Sequence, residues 1–159
     1  PPPPLSAPSA PPPLSEAALE AALAASLGAG VAGQRCAASN SSAYEYVVCF
    51  WGGATQRLRS EPASSSANYS LGRAWAWEAG RPVGTFSGGD ACPDGTARSL
   101  RVEFGCGPPA VPYALGDVRE ARSCVYHVTL RAPPFCALLP EPTDGGGGAD
   151  GGGGGDAAD

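Results

Sequence analysis

Six cysteines, all between residues 36 and 136, constrain the fold of this 159-residue chain more than any other feature. They are Cys36, Cys49, Cys92, Cys106, Cys124 and Cys136. A zinc site would need closely spaced Cys-x2-Cys or His/Cys pairs. Here the two nearest cysteines are 12 residues apart, and His127 is the only histidine. We therefore expect disulfides, an oxidising compartment, and neither a metal nor another cofactor.

Disulfides also suit the size of the region that can fold. Residues 1–13 are rich in proline, and residues 137–159 are rich in glycine and acidic side chains, so we predict that both tails are disordered. About 100 residues, 36–136, are then left to form the domain. A core of that size is marginal on hydrophobic burial alone, and each native bridge adds roughly 3–4 kcal/mol to its stability.

Residues 14–28 predict a short helix or linker before the cysteine-rich region. Ser15 is a suitable N-cap, and Gly28 is a typical C-terminal stop. One apolar stripe recurs every four residues, at Leu19, Leu23 and Leu27. A signal peptide is the alternative for this Ala/Leu-rich stretch. It is disfavoured because the stretch contains two glutamates and lacks a basic amino-terminal segment.

The cysteine-rich region has the pattern of an all-β domain. Short runs rich in β-branched and aromatic residues occur at 44–51, 100–104 and 125–130. In the second run, apolar and charged residues alternate with the period of a half-buried strand. Clusters of glycine and proline separate the runs and indicate turns. We predict a small flattened β-barrel or sandwich stapled by three disulfides, with a short N-terminal helix and disordered tails.

Charge and hydropathy argue against two classes of partner. The net charge is −5, and the tail after Cys136 accounts for all of it, since residues 1–136 hold ten arginines and ten acidic side chains. No basic stripe is present of the kind that neutralises phosphates, so we expect no nucleic acid partner. No apolar run approaches the roughly 18 residues that a membrane span requires.

A series of spaced motifs resembles the mannose-6-phosphate receptor homology (MRH) domain family. The segment Tyr44-x-Tyr46-x-x-Cys49 is similar to the opening strand of that family, and Gln56 follows seven residues after Cys49. The pair Leu71-Gly72 then precedes Trp77, as in the family's LG-x-W segment.

The second half of the region continues the same resemblance. Gly88-Gly89-Asp90-x-Cys92 leads to Arg98, which stands eight residues before Cys106. Glu120 lies four residues before Cys124, and Tyr126 lies two after it. The match covers residues 36–136 and, within the family, is most similar to glucosidase II beta subunits. One departure is Pro93, where those subunits tend to carry a tryptophan.

The resemblance implies a sugar site made by Gln56, Arg98, Glu120 and Tyr126. An arginine fork can donate to two neighbouring hydroxyl oxygens of mannose, and a carboxylate can accept from two hydroxyl protons. A glutamine side chain can do one of each, and a tyrosine offers a hydroxyl and an apolar face. The alternative for Arg98 and Glu120 is a surface ion pair, worth at most about 1 kcal/mol.

The resemblance also implies how the cysteines pair. The implied bridges are Cys36–Cys49, Cys92–Cys124 and Cys106–Cys136, one of the fifteen pairings that six cysteines allow. Two sequons, at Asn40 and Asn68, are candidates for N-glycosylation and agree with a secretory compartment.

The function implied by the resemblance is that of a non-catalytic lectin in the lumen of the endoplasmic reticulum. It would recognise mannose-rich N-glycans as the regulatory beta subunit of glucosidase II, beside a catalytic alpha subunit. A lectin of ER-associated degradation, the phosphotransferase gamma subunit, and a disulfide-rich structural domain without a sugar site are the alternatives. A glycosidase is disfavoured, because an arginine near Glu120 would stabilise its charged form, which is the wrong direction for a general acid.

Overall fold

The structure, a computed structural model, describes residues 2–4, 14–28, 35–40, 43–60 and 68–139. In these parts of the chain, the α-helix α1 (Glu16–Leu27) is followed by ten strands and a 3-10 helix, Pro133–Ala137. The strands are β1 (Arg35–Asn40), β2 (Tyr44–Phe50), β3 (Gly53–Leu58), β4 (Asn68–Gly72), β5 (Ala74–Trp77), β6 (Val83–Ser87), β7 (Ser99–Cys106), β8 (Ala114–Leu115), β9 (Arg119–Arg122) and β10 (Val125–Ala132).

The strands form two sheets that share one hydrophobic core. The first sheet is antiparallel and has the order β1-β2-β3-β4. The second has the order β5-β6-β7-β10-β8, and β9 pairs with the beginning of β10. At its centre, β7 and β10 run parallel. The predicted all-β sandwich with a short helix and three disulfides is therefore confirmed.

The core is built by the alternation that a half-buried strand requires. On β2, Tyr46, Val48 and Phe50 are buried, and the residues between them are partly exposed. On β10, Tyr126 and Val128 are among the buried residues of the same pattern. Tyr46 and Tyr126 are thus the first buried residues of β2 and β10. The candidate site lies at this end of the sandwich.

The three disulfides are the pairs that the family resemblance implies. Cys36 and Cys49 face each other in the β1–β2 register, with Cα atoms 4.0 Å apart. Cys92 joins Cys124 across 6.4 Å between Cα atoms, and the Cα atoms of Cys106 and Cys136 are 4.3 Å apart. All six cysteines are bonded.

Helix α1 belongs to the core of the domain and is not a linker. The Ser15 hydroxyl accepts a hydrogen bond from the Ala18 amide at 3.2 Å, which is the predicted N-cap. Gly28 ends the helix with a φ of +67°, a conformation that favours glycine. Leu19 and Leu23 are fully buried, and the helix packs against the 3-10 helix and β1.

The predicted tails lie mostly outside the described residues. Of residues 1–13 only 2–4 are described, and residues 140–159 are not. Residues 137–139, which were predicted to be part of the carboxy-terminal tail, are among the described residues. Ala137 ends the 3-10 helix, and Leu138 and Leu139 are partly buried against the core. The physical reason is that these two leucines are apolar, unlike the residues that follow them.

Two further observations concern membranes and metals. No helix in the described part of the chain is long and apolar enough to cross a membrane. Among the same residues, no group of three or more His, Cys, Asp or Glu side chains is placed to hold a metal ion.

Candidate functional site

Gln56 is a buried polar residue on the inward face of the first sheet. It lies on β3, and only 8% of its surface is exposed. Its Nε2 atom donates a hydrogen bond to the hydroxyl oxygen of Tyr46 at 3.3 Å. Tyr46 is directly opposite on β2, and Tyr69 is opposite on β4. Because cross-strand partners share a face of the sheet, the three side chains form one row.

Arg98 is held by the loop that leads into β7. Its Nη1 atom donates to the carbonyl oxygens of Asp90 at 3.2 Å and of Ala91 at 3.0 Å. Its guanidinium carbon lies 4.3 Å from the centre of the Tyr69 ring, which is a cation–π contact. Its Nε atom is buried and has no hydrogen-bond partner among the described residues. The guanidinium is thus fixed between a loop and an aromatic ring, directly beside the row that contains Gln56.

Asp90 connects the Arg98 loop to the first sheet. Its carboxylate accepts hydrogen bonds from the Ser70 amide at 2.7 Å and from Arg73 Nη2 at 2.6 Å. These two donors lower the pKa of Asp90 below its usual value, and the Ser70 amide has the larger effect. The Asp90 amide donates to the Ser70 carbonyl oxygen at 2.8 Å. The carboxylate and the amide of Asp90 thus both bond to Ser70 of β4. These two bonds hold in place the Asp90 carbonyl oxygen that accepts from Arg98.

Glu120 lies at the edge of the second sheet, on β9. Its Oε1 atom accepts a hydrogen bond from the Cys124 amide at 2.8 Å, which closes the turn between β9 and β10. Cys124 has a φ of +68° in this turn. Among the ion pairs of the described residues none joins Glu120 to Arg98, so the surface ion pair considered above is not formed.

Tyr126 completes the set on β10, opposite Glu120 in the register. Its side chain is 7% exposed and points into the core. Burial raises the pKa of Tyr46 above its usual value, and Tyr126 and Tyr44 raise it further, with a smaller contribution from the Glu120 charge. Tyr46 on the first sheet and Tyr126 on the second belong to the same cluster of buried residues.

The disulfide Cys92–Cys124 joins the two halves of this cluster. Cys92 lies two residues after Asp90 in the loop that holds Arg98. The Cys124 amide donates a hydrogen bond to the Glu120 carboxylate. The Ser99 amide also donates to the Cys124 carbonyl oxygen at 3.2 Å. The bridge therefore ties the Arg98 loop to the turn that positions Glu120.

The structure thus brings the four predicted residues into one cluster at the end of the sandwich. Within the described residues, the hydrogen bonds of this cluster engage Nη1 of Arg98, Oε1 of Glu120 and Nε2 of Gln56. Arg98 Nη2 is then a donor for a ligand, and Glu120 Oε2 and Gln56 Oε1 are acceptors. This combination suits a neutral molecule with adjacent hydroxyl groups.

Three residues of the cluster have roles that the sequence did not predict. Tyr46 accepts a hydrogen bond from Gln56, and the Tyr69 ring makes a cation–π contact with the Arg98 guanidinium. Asp90 anchors the Arg98 loop. Tyr46 shares the strand period of buried Val48 and Phe50, and this period could have placed it on the inward face. The pairing of Tyr69 with Gln56 depends on the β3–β4 register, for which the sequence offers no signal.

Comparison with known proteins gives the family of the chain. The sequence profile of the family described as glucosidase II beta subunit-like protein matches residues 29–143. This match includes all six cysteines and the whole cluster described above. The chain belongs to this family. The predicted resemblance to the MRH domain of glucosidase II beta is therefore confirmed.

Curated relatives of this glucosidase II beta-like chain are found in rice. It is 33% identical over 102 residues to glucosidase 2 subunit beta of Oryza sativa subsp. indica and, equally, to that of subsp. japonica. The aligned region covers 64% of the chain and 15% of each relative. The chain therefore spans only a small part of the length of the curated relatives that it matches.

Solved structures of MRH domains have a related fold. The MRH domain of Yos9, solved in complex with alpha3,alpha6-Man5, superposes with a TM-score of 0.56 at 20% identity and covers 77% of the chain and 90% of that domain. The MRH domain of glucosidase II beta, solved with bound mannose, is 25% identical, with a TM-score of 0.49, and covers 64% of the chain and 92% of that domain. The first of these two likenesses supports the fold described above.

Proposed function

We propose that this domain is a lectin that binds a terminal mannose of N-glycans through Gln56, Arg98, Glu120 and Tyr126. The observation that carries the proposal is the convergence of the four side chains from separate segments of both sheets. Gln56 and Arg98 meet through Tyr69, and the Arg98 loop is linked to Glu120 and Tyr126 through the Cys92–Cys124 bridge, the bond from the Cys124 amide to Glu120, and the pairing of β10 with β7 and β9. Membership of the glucosidase II beta-like family supports the same function.

The chemistry of Arg98, Glu120 and Gln56 follows from the atoms that the cluster leaves open. Arg98 Nη2 donates to a ring hydroxyl oxygen, and Glu120 Oε2 accepts the proton of a hydroxyl group. Gln56 offers Oε1 as an acceptor, and the second hydrogen of Nε2 is left as a donor, because Tyr46 takes only one of the two amide hydrogens. The axial 2-hydroxyl group of mannose distinguishes it from glucose, so these directional hydrogen bonds can select the sugar.

A single mannose binds weakly to such a site. One sugar ring offers only a few hydrogen bonds, so we expect a Kd on the order of 1 mM, or about −4 kcal/mol. Tight recognition of a glycoprotein then needs a second contact with the same glycan, such as an attached catalytic subunit.

In the cell, the domain acts as a non-catalytic module of a glucosidase II beta-like subunit in the lumen of the endoplasmic reticulum. The family match and the curated relatives named glucosidase 2 subunit beta support this role. Three disulfides support an oxidising compartment. The catalytic alpha subunit is the partner that this role requires, with mannose-rich N-glycans as the ligand.

Titration of the isotope-labelled, oxidised domain with free sugars, followed by NMR, tests the proposal. We expect mannose to shift the amide signals of residues around Gln56 and Arg98 with millimolar affinity, and galactose to have no effect. Mannose 6-phosphate should bind no more tightly than mannose. A structural domain without a sugar site would respond to none of the three sugars, and that result would overturn the proposal.

A further inference from the structure

One of the two sequons adjoins the proposed sugar site. Asn68-Tyr69-Ser70 forms the first three residues of β4, which is an edge strand of the first sheet. Tyr69 is the cross-strand partner of Gln56, and the centre of its ring lies 4.3 Å from the guanidinium carbon of Arg98. The Ser70 amide and carbonyl both bond to Asp90. Two of the three residues of this sequon therefore build the surroundings of Arg98.

Asn68 itself faces away from the core. Its side chain is exposed, and its cross-strand partner is Arg57 on the outer side of β3. Arg57 in turn forms an ion pair with Glu45, so this row of the sheet is polar. A glycan on Asn68 would therefore start on the solvent-facing side of this edge of the sheet. The mannose site lies around the same edge, one residue further along the strand.

We propose that Asn68 is N-glycosylated and that a terminal mannose of its own glycan occupies the site in cis. The inference rests on the proposed function, because the attached glycan must carry the sugar that the site binds. N-glycans are attached to proteins as mannose-rich structures, with several flexible units between the asparagine and the terminal mannose. The glycan of Asn68 is then an intramolecular competitor of the glycans on other glycoproteins.

The weak affinity of the site makes this competition effective. A ligand on a short flexible tether has an effective concentration in the millimolar range. This concentration is comparable to a Kd on the order of 1 mM. About half of the sites are then occupied by the attached glycan, and the apparent affinity for a free glycan falls about twofold. If the attached glycan leaves the site slowly or fits it better, the apparent affinity for a free glycan falls further.

The second sequon provides a matched control. Asn40 ends β1, at the opposite edge of the same sheet. The register leads from Asn40 to Glu45, Arg57 and Asn68, so the two asparagines are three strand spacings apart, or about 14 Å. A glycan at Asn40 therefore starts at the far edge of the sheet from Tyr69 and Arg98.

The experiment uses the full chain secreted from cells that retain mannose-rich N-glycans. Peptide mapping by mass spectrometry first shows whether Asn68 is occupied. A free mannose-rich oligosaccharide is then titrated into the unmodified chain, the chain trimmed by an endoglycosidase to one N-acetylglucosamine, and the chain treated with α-mannosidase. The variants Asn68→Gln and Asn40→Gln are titrated in parallel, with thermal unfolding as the check on folding.

We expect Asn68→Gln and both trimmed forms to bind the free oligosaccharide at least about twofold more tightly than the unmodified chain, and Asn40→Gln to bind like it. An unoccupied Asn68, or equal affinities for all forms, would overturn the inference and leave the lectin function standing. An inhibition that survives α-mannosidase but not the endoglycosidase would indicate steric blocking and would also overturn it. If no form bound the oligosaccharide, the proposed function itself would fail.

Discussion

The amide nitrogen of Gln56 donates a hydrogen bond to the hydroxyl oxygen of Tyr46 at 3.3 Å, and both side chains are buried. This bond sets the orientation of the Gln56 amide, so that Oε1 and the second hydrogen of Nε2 are the groups left for a ligand. Tyr46 is thus a positioning residue, which acts on the sugar through Gln56.

Replacement of Tyr46 by phenylalanine tests this role. The variant leaves the buried Gln56 nitrogen without its acceptor, which costs about 1–3 kcal/mol of stability. The amide is then free to rotate, so the affinity for mannose should fall as well. Urea unfolding and NMR titration measure the two effects. Tyr113→Phe is the matched control, since Tyr113 is a partly buried tyrosine outside the cluster, and unchanged mannose affinity in Tyr46→Phe would contradict the role.

The carboxylate of Asp90 should make the stability of the domain depend on pH in the acidic range. Its pKa in the folded state is lowered by the Ser70 amide and then by Arg73. A lowered folded pKa contributes stability above the unfolded value of about 4, and this stability is lost as the pH falls through the folded pKa. We therefore expect Asp90→Asn to be less stable than the wild type at pH 7, with a difference that shrinks as the pH falls below about 4.

Urea unfolding of both proteins across this pH range measures the difference. Asp117→Asn serves as the control, because Asp117 is exposed in the segment between β8 and β9. A constant difference between wild type and Asp90→Asn from pH 7 to pH 2 would contradict the account.

Removal of the Cys92–Cys124 bridge should affect both stability and sugar binding. The bridge closes a separation of 32 residues, against 13 for Cys36–Cys49. The chain-entropy relation then gives losses of about 3.7 and about 2.9 kcal/mol for the two double Cys→Ala variants. Only the variant without Cys92–Cys124 should also lose mannose affinity, because only this bridge joins the Arg98 loop to the Glu120 turn. Equal mannose affinities of the two variants, measured where both are folded, would disprove the link.

The sequence predicted the disulfide pairs and offered four candidate site residues, because both depend on spacing along the chain. Gln56, Arg98, Glu120 and Tyr126 each stand at a fixed distance from a cysteine. The structure places them in one cluster through contacts that span both sheets.

The supporting contacts could not be predicted, because they depend on pairing between distant strands. The stacking of Arg98 on Tyr69 requires the shifted register of β3 and β4, where the pairing has an irregularity after Ala54. The placement of Tyr126 requires a parallel pair between β7 and β10, and no local pattern distinguishes that pair from an antiparallel one. The docking of α1 likewise depends on Phe135, more than 100 residues later.

Helix α1 should contribute strongly to the stability of the domain. Leu23 is fully buried, so Leu23→Ala should cost about 2–5 kcal/mol. Ala21→Ser, on the exposed side of the same helix, should cost only a few tenths of a kcal/mol. Urea unfolding compares the two variants. If both cost the same small amount, the helix does not belong to the core.

Arg98 is the residue on which the proposed sugar site depends most, and the mannose affinity of Arg98→Ala tests its role. Loss of a charged hydrogen bond costs about 1.5–3 kcal/mol, a factor of roughly 10 to 150, which places a millimolar site beyond detection. Arg119→Ala is the matched control, since Arg119 is an exposed arginine on β9, next to Glu120. NMR titration should show no mannose binding for folded Arg98→Ala and wild-type affinity for Arg119→Ala. Normal mannose binding by folded Arg98→Ala would contradict the account.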